Sequence, residues 1–311
     1  SQLDLLLINA PSRGAVYGER IASNLAAIEP PVWAGLIAQH CLDRGFSVEI
    51  LDAEALGLNI QDTAIEIMVR HPRLAVFCVY GQQPSASTQC LPAASAVARL
   101  VNNNAEHLAN YHVPMLALGT HPSAMAGRTL QEEYFDYVCS GEGPNTILQL
   151  LSALNKAPGA AIENIDGLWY RDGADGSIAR NEDAPLIIDL DYELPRQAWQ
   201  LLDMKCYRAH NWHLWTALPG DGYAPNGGYA SVQTSLGCPF RCTFCCINAP
   251  FGASGIRYWS PANVAAQISN LVYQYGITNI KVPDEMFVLN RQHVWQICNH
   301  LIDAGLGDRL N

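Results

Sequence analysis

The chain is 311 residues long, enough for two domains, and its 49% apolar share supplies a sizeable core. A formal net charge of −11 excludes the basic face that nucleic acid requires. No stretch reaches the roughly 18 apolar residues of a membrane span. Ser1-Gln2-Leu3-Asp4 lacks the basic start of a secretion signal, so the expected location is cytoplasmic.

Residues 1–157 alternate between strand-like and helix-like apolar patterns. Leu3–Asn9 is a nearly continuous apolar run, as a strand buried on both faces should be. Helical spacing over Pro31–Asp43 stops at Arg44-Gly45, a strand is predicted at Ser47–Asp52, and a helix at Ile60–Arg70. Leu74–Tyr80 is the third strand, Cys90–Asn102 a helix, Val113–Gly119 and Tyr134–Cys139 further strands, and Pro144–Leu154 a helix. Strict β–α alternation predicts a doubly wound, Rossmann-like (flavodoxin-type) parallel sheet covered on both faces. Ligands bind such sheets beyond the carboxyl ends of the strands. Four predicted loops sit there: Ala10–Glu19, Gly81–Thr88, Gly119–Ala124 and Ser140–Pro144. No G-x-G-x-x-G follows the first strand, so the dinucleotide fingerprint is absent.

Across residues 158–228 the α/β rhythm stops. Ile165–Arg171, a D-G-A-D-G turn and Ser177–Asn181 predict a β-hairpin, and the rest reads as a connecting segment laid over its neighbours. Its end holds His210, Trp212, His213 and Trp215. These are expected to pack as an aromatic linker, with an active-site lid as the functional alternative. A third unit, residues 229–311, begins with the β-rich run Tyr229–Ser235. Asn279–Val282 then predicts a second strand and Gln292–Ala304 a second helix.

Six of the ten cysteines (Cys41, Cys78, Cys90, Cys139, Cys206, Cys298) stand alone and are expected to be buried small apolar residues. The other four lie between Cys238 and Cys246. Cys238, Cys242 and Cys245 form C-x-x-x-C-x-x-C, a spacing that chance would give about 0.01 times in a chain with ten cysteines. Zinc sites need a second Cys or His pair downstream, which is lacking, and a loop this short in a reducing compartment disfavours disulfides. Three thiolates can each ligate one iron of a four-iron cluster, leaving the fourth iron open. Cys246 lies outside this spacing and is expected to be a packed free thiol.

Thr-Ser-Leu-Gly-Cys-Pro-Phe-Arg-Cys-Thr-Phe-Cys, residues 234–245, resembles the signature of the radical S-adenosylmethionine (SAM) superfamily. The resemblance implies that Cys238, Cys242 and Cys245 hold a 4Fe–4S cluster and that Phe244 lies against the adenine of SAM. At the end of the second strand of the third unit, Glu285, or secondarily Asp284, would contact the SAM amino group. The plainer reading of that acidic pair is a helix N-terminus favoured by the dipole. Upstream, LGTHPSA and DYVCSGEGPNTILQLL resemble the N-terminal domain of the cobalamin-binding radical SAM family. Thr120 stands where that family usually has a second glycine, and Pro144 where it has a second glutamate.

By this resemblance the corrin is held by Gly81 and Gln82, by Gly119, Thr120 and His121, and by Gly141, Glu142 and Gly143. The D-x-H-x-x-G motif that supplies a lower histidine ligand to cobalt is absent, so no histidine ligand is expected there; Arg13 or Tyr17 would lie near the metal instead. The implied function is SAM cleavage to a 5′-deoxyadenosyl radical, with methyl transfer to an unactivated carbon as the expected outcome. Cyclisation or rearrangement and a non-catalytic cobalamin module are the alternatives. Implied partners are a small-molecule or lipid-like substrate and an electron donor such as a flavodoxin or ferredoxin. The 81 residues after Ala230 supply two β/α units, too few to close a barrel. The third unit is therefore expected to be an incomplete barrel from a longer protein, with Arg309-Leu310-Asn311 leading toward a third strand.

Overall fold

The computed structural model describes residues 2–18, 26–81, 86–106, 111–156, 161–172, 176–209 and 228–310. The first unit is built on β1 (Leu5–Asn9), β2 (Val48–Asp52), β3 (Leu74–Val79), β4 (Met115–Gly119) and β5 (Tyr137–Cys139). These five strands pair in parallel in the order β2-β1-β3-β4-β5. The order reverses between β1 and β3, and this is where such sheets open a crevice for ligands.

Residue alternation assigns the two faces of the sheet. Leu6, Ile8, Phe77 and Ala117 join one core cluster, while Leu5, Leu7, Val76 and Leu116 join the other. Among the helices, α1 (Arg13–Tyr17), α2 (Val32–Leu42), α3 (Ala53–Leu56), α4 (Ile60–Arg70) and α5 (Ala86–Ala105) precede β4. Then come α6 (Thr120–Ala124), α7 (Ala126–Glu132) and α8 (Pro144–Lys156). Four chain segments expected as loops or left unassigned, α1, α3, α6 and α7, are short helices; Asp52 caps α3 by accepting from the Ala55 amide at 3.2 Å.

The expected hairpin forms as β6 (Leu168–Arg171) and β7 (Ile178–Arg180), but it does not stand apart. Cys139 pairs with Leu168 antiparallel, so the hairpin adds sixth and seventh strands to the sheet. The segment after it also departs from the expected surface linker. Leu190 of α9 (Leu190–Glu193), Leu194, Trp199, Met204 and Tyr207 are buried in a third core with Trp33, Tyr229 and Trp259. Helix α2 explains how one element serves two cores. It is apolar nearly all round, presenting Ala34, Ile37 and Cys41 to the sheet and Trp33 and Leu36 to the third core. The four aromatic and histidine residues from His210 to Trp215 lie outside the described residues.

The run expected as one strand at Tyr229–Ser235 is broken in two: β8 (Gly228–Ser231) and β9 (Ser235–Leu236). β8 pairs in parallel with β11 (Ile277–Lys281), and β9 pairs antiparallel with β10 (Arg257–Tyr258). The break follows from Asp284, whose carboxylate accepts from Thr234 N at 2.8 Å, Thr234 Oγ1 at 2.6 Å and Ser235 Oγ at 2.6 Å. Helices α10 (Pro261–Tyr275) and α11 (Arg291–Asp303) pack against each other beside β11. Among the described residues, no helix is long and apolar enough to cross a membrane.

Gly119 ends β4 at φ +148°, and a Cβ there would sit 2.1 Å from the Val79 carbonyl oxygen. Gly119→Ala is expected to cost about 3 kcal/mol through clash and strained backbone, lowering the melting temperature by about 5–10 °C. Circular dichroism melts check this, and an unchanged midpoint contradicts it.

Candidate cofactor site

A pocket opens at the β1/β3 reversal and is walled from both sides. The first unit contributes Arg13 and Tyr17 of α1, Trp33 of α2, Tyr80 and Gly81 after β3, and Thr120 after β4. From the third unit come Gln233, Gly237, Phe251 and Glu285. Trp33 and Tyr80 stack with centroids 5.2 Å apart and planes 11° from parallel, and Phe251 lies 6.4 Å beyond Trp33. The result is an aromatic wall linking the two units.

Three polar atoms from three elements of this pocket are buried without a hydrogen-bond partner: Arg13 Nη1, Tyr80 OH and Gln233 Oε1. Buried polar groups are ordinarily satisfied, and leaving each one unpaired costs about 1–3 kcal/mol. All three residues also line the crevice between the aromatic wall and the cysteine-loop root, a lining that suits a ligand apolar in its body and polar at its edge. Glu54 organises this side of the pocket. It accepts from the Ser12 amide and hydroxyl and lies 3.5 Å from Arg13 Nε.

Behind that wall, Asp52 accepts from Asn9 Nδ2 and Tyr207 OH, each at 2.8 Å. Burial raises its carboxyl from 3.8 to about 6 despite these bonds. The folded state thus holds the proton more tightly than the unfolded one. The stabilisation this gives is complete below pH 3.8, declines as pH rises and is gone above about pH 6. Across that window stability should fall by about 3 kcal/mol. Urea unfolding of wild type and Asp52→Asn from pH 4 to 7 tests it, the expected slope being present in wild type and lost in the variant.

The cysteine loop hangs from β9. Gly237 turns the chain at φ +87°, where a Cβ would meet the Gly255 carbonyl oxygen at 2.5 Å. Asn248 then staples the loop, accepting from Cys238 N at 3.0 Å and donating to Cys238 O at 3.0 Å and Phe240 O at 3.1 Å. Cys238 is buried, Cys242 and Cys245 are exposed, and Cys246 is half-buried with its thiol pushed up by burial. Among the described residues, no three His, Cys, Asp or Glu side chains converge on a metal-binding point, the cysteine loop included. The donor set itself, three soft thiols on one short loop, fits an iron–sulfur cluster. Phe244 is 91% exposed, so it has no role in a core and presents a free aromatic face.

The remaining expected site residues divide between the pocket and other duties. Thr120 and Gly81 line the pocket, whereas the His121 ring bonds Thr88 Oγ1 at 2.9 Å through Nδ1. Asp284 is committed to the Thr234–Ser235 turn, while Glu285 faces the pocket with its carboxyl raised by burial and by neighbouring Asp284. Glu142 is 5% exposed and its carboxylate is taken by Arg257, at 2.6 and 3.0 Å, and by Ile187 N at 2.8 Å. Gly141 and Gly143, at φ +146° and +101°, flank it. Gln82 lies outside the described residues. Trp33, Tyr80 and Gln233 escaped sequence reading because none lies in a chemical motif; only the predicted loops at the carboxyl ends of the strands pointed to their neighbourhood.

No family model matches the chain. It is 28% identical to an uncharacterized methyltransferase of Pyrococcus horikoshii over 98% of its own length and 58% of the relative's. Identity is also 28% to the anaerobic magnesium-protoporphyrin IX monomethyl ester cyclase of Synechocystis, over 96% of this chain and 52% of that one. The chain thus spans about half the length of the curated relatives it matches. Among solved structures, the cobalamin-dependent SAM radical enzyme OxsB, with aqua-cobalamin and SAM bound, superposes with a TM-score of 0.68 at 17% identity, covering 97% of this chain and 37% of OxsB. The radical SAM methyltransferase TsrM of Kitasatospora setae superposes at 0.63 with 20% identity, over 100% of this chain and 54% of TsrM. The structural neighbours are therefore cobalamin-dependent radical SAM enzymes, in agreement with the sequence resemblance.

Proposed function

We propose that this chain is the cofactor-holding part of a cobalamin-dependent radical SAM enzyme whose reaction is methyl transfer to carbon. The observation that carries the reading is one pocket with two walls. One wall is the carboxyl end of a reversed-order sheet, with the buried Arg13 Nη1 and Tyr80 OH unsatisfied; the other is the root of a three-cysteine loop, with Gln233 Oε1 unsatisfied. OxsB and TsrM, which share the fold, carry cobalamin together with SAM or a cluster.

In this reading Arg13 and Tyr80 donate to, and Gln233 accepts from, the polar edge of the corrin, while Thr120, Gly81 and the Trp33–Tyr80 stack enclose its body. Cys238, Cys242 and Cys245 hold the cluster, Phe244 lies against the adenine, and Glu285 orients the cationic SAM amine. When bound, the cluster would supply the electron that splits SAM, and the corrin a transferable methyl group. The chain's own residues orient and exclude water. Trp33, Tyr80 and Phe251 form an apolar lining in which an electrostatic contact from Glu285 is stronger than it would be in water. A flavodoxin or ferredoxin suits the electron supply, and a small molecule the substrate.

Ring closure is the second reading, favoured by the cyclase relatives at the same identity. SAM products separate the two. The protein reconstituted with iron, sulfide and hydroxocobalamin, then reduced with titanium citrate and given SAM without substrate, should form S-adenosylhomocysteine stoichiometric with corrin. Corrin and cluster without any S-adenosylhomocysteine would favour ring closure and overturn methyl transfer.

A further inference from the structure

The sequence resemblance assigns Glu142, in the Gly-Glu-Gly turn after β5, to the corrin. Its surroundings give it different work. Both carboxylate oxygens are engaged by Arg257, Nη2 to Oε1 at 2.6 Å and Nη1 to Oε2 at 3.0 Å. The Ile187 amide adds a third bond to Oε2 at 2.8 Å, and the Ile187 carbonyl accepts from Arg257 Nη1. The pair is 5% and 14% exposed, bidentate, and closed by one residue of the connecting segment. A Cβ on neighbouring Gly143 would press on the Leu118 side chain at 2.8 Å, so the turn that aims Glu142 away from the sheet needs glycine there.

Arg257 is not an arbitrary partner. It lies on β10 opposite Leu236, two residues before Cys238, the first expected cluster ligand. Its guanidinium also covers the Phe251 ring, 5.2 Å from the centroid, and Phe251 joins the Trp33–Tyr80 wall of the pocket. One side chain therefore reaches the root of the cysteine loop, the aromatic wall and the Gly-Glu-Gly turn. Buried ion pairs give little net stability against apolar replacements, and their best-attested use is to fix register. Bidentate geometry suits that use, because it sets angle as well as distance.

We propose that the Glu142–Arg257 pair is a positioning device that fixes the cysteine loop relative to the sheet-end pocket, and so sets the separation and orientation of cluster and corrin. The proposal rests on the cofactor assignment above. It makes Glu142 and Arg257 positioning residues that touch neither cofactor.

The test reads the separation directly. The protein reconstituted with iron, sulfide and hydroxocobalamin is reduced so that cluster and cob(II)alamin are both paramagnetic, and their dipolar interaction is recorded by low-temperature EPR. Wild type should show one well-defined interaction. Glu142→Gln and the milder Arg257→Lys should lose it to a broad distribution, with iron and corrin per chain unchanged; corrin lost from Glu142→Gln but kept by Arg257→Lys would place Glu142 on the corrin and overturn the proposal. A pair that contributed stability alone would lower the melting temperature and leave the interaction in the folded fraction as in wild type. That result in both variants overturns the proposal. Wild type that retains no corrin would instead overturn the cofactor assignment, and this inference with it.

Discussion

Alanine at Cys238, Cys242 or Cys245 is expected to reduce retained iron from about four atoms per chain to below one, because a cuboidal cluster held by three thiolates does not survive loss of one. Cys246→Ala should retain the wild-type amount. The contrast follows from the spacing and from how the loop is held. Asn248 bonds Cys238 and Phe240 and so shapes the arc between the first and second thiols. Cys242 and Cys245 are exposed, while Cys246 is half-buried and falls outside the three-cysteine spacing. Iron and sulfide analysis after anaerobic reconstitution, with the 400-nm region of the absorption spectrum as a second readout, checks all four variants. Iron lost equally in Cys246→Ala, or retained in Cys242→Ala, would contradict the assignment.

The second large effect is on binding, with stability nearly unchanged. Arg13→Met removes a buried guanidinium nitrogen that has no partner, and relieves its repulsion of Arg208. Glu54 keeps its bonds from the Ser12 amide and hydroxyl and from the Arg13 amide, which survives the substitution. The substitution also removes the 3.5 Å ion pair between Arg13 Nε and Glu54, which offsets that relief, so the ligand-free protein should stay close to wild type in stability. A charged hydrogen bond to the corrin edge is worth about 1.5–3 kcal/mol, so affinity for hydroxocobalamin should fall by a factor of about 10–150. Spectral titration and thermal melts on the same preparations decide it. Equal corrin affinity would remove Arg13 from the cradle, and a lower melting temperature would show its role to be structural.

Some of this was legible in the sequence and some was not, for physical reasons. The β-strand runs such as Leu3–Asn9 and Leu74–Tyr80 announce themselves because strands buried on both faces are apolar throughout. The helix at Ile60–Arg70 was read to the residue, since Asn59 caps it and the apolar positions repeat at helical spacing. Helix α1 was not, because five residues with an internal glycine show no period. The attachment of the hairpin to the sheet depends on Cys139 meeting Leu168, a pairing that no local pattern encodes. Asp284 broke the run at Tyr229–Ser235 from fifty residues away.

The same division holds in the site. The cysteine spacing is local chemistry and can be read directly. The destination of Glu142 is set by Arg257, 115 residues downstream, and the wall made by Trp33, Tyr80 and Gln233 exists only after folding. Family resemblance assigns the Gly-Glu-Gly turn to the corrin, whereas in the fold its acid faces Arg257.

The central claim is that one pocket and one adjacent loop in this chain hold two different cofactors. The most direct measurement is the stoichiometry of both in a single preparation, made anaerobically with hydroxocobalamin supplied and freed of excess by gel filtration. About four iron atoms and about one corrin per chain are expected, with corrin bands and cluster absorption in the same eluting peak. Cluster at full occupancy with no corrin retained would contradict it.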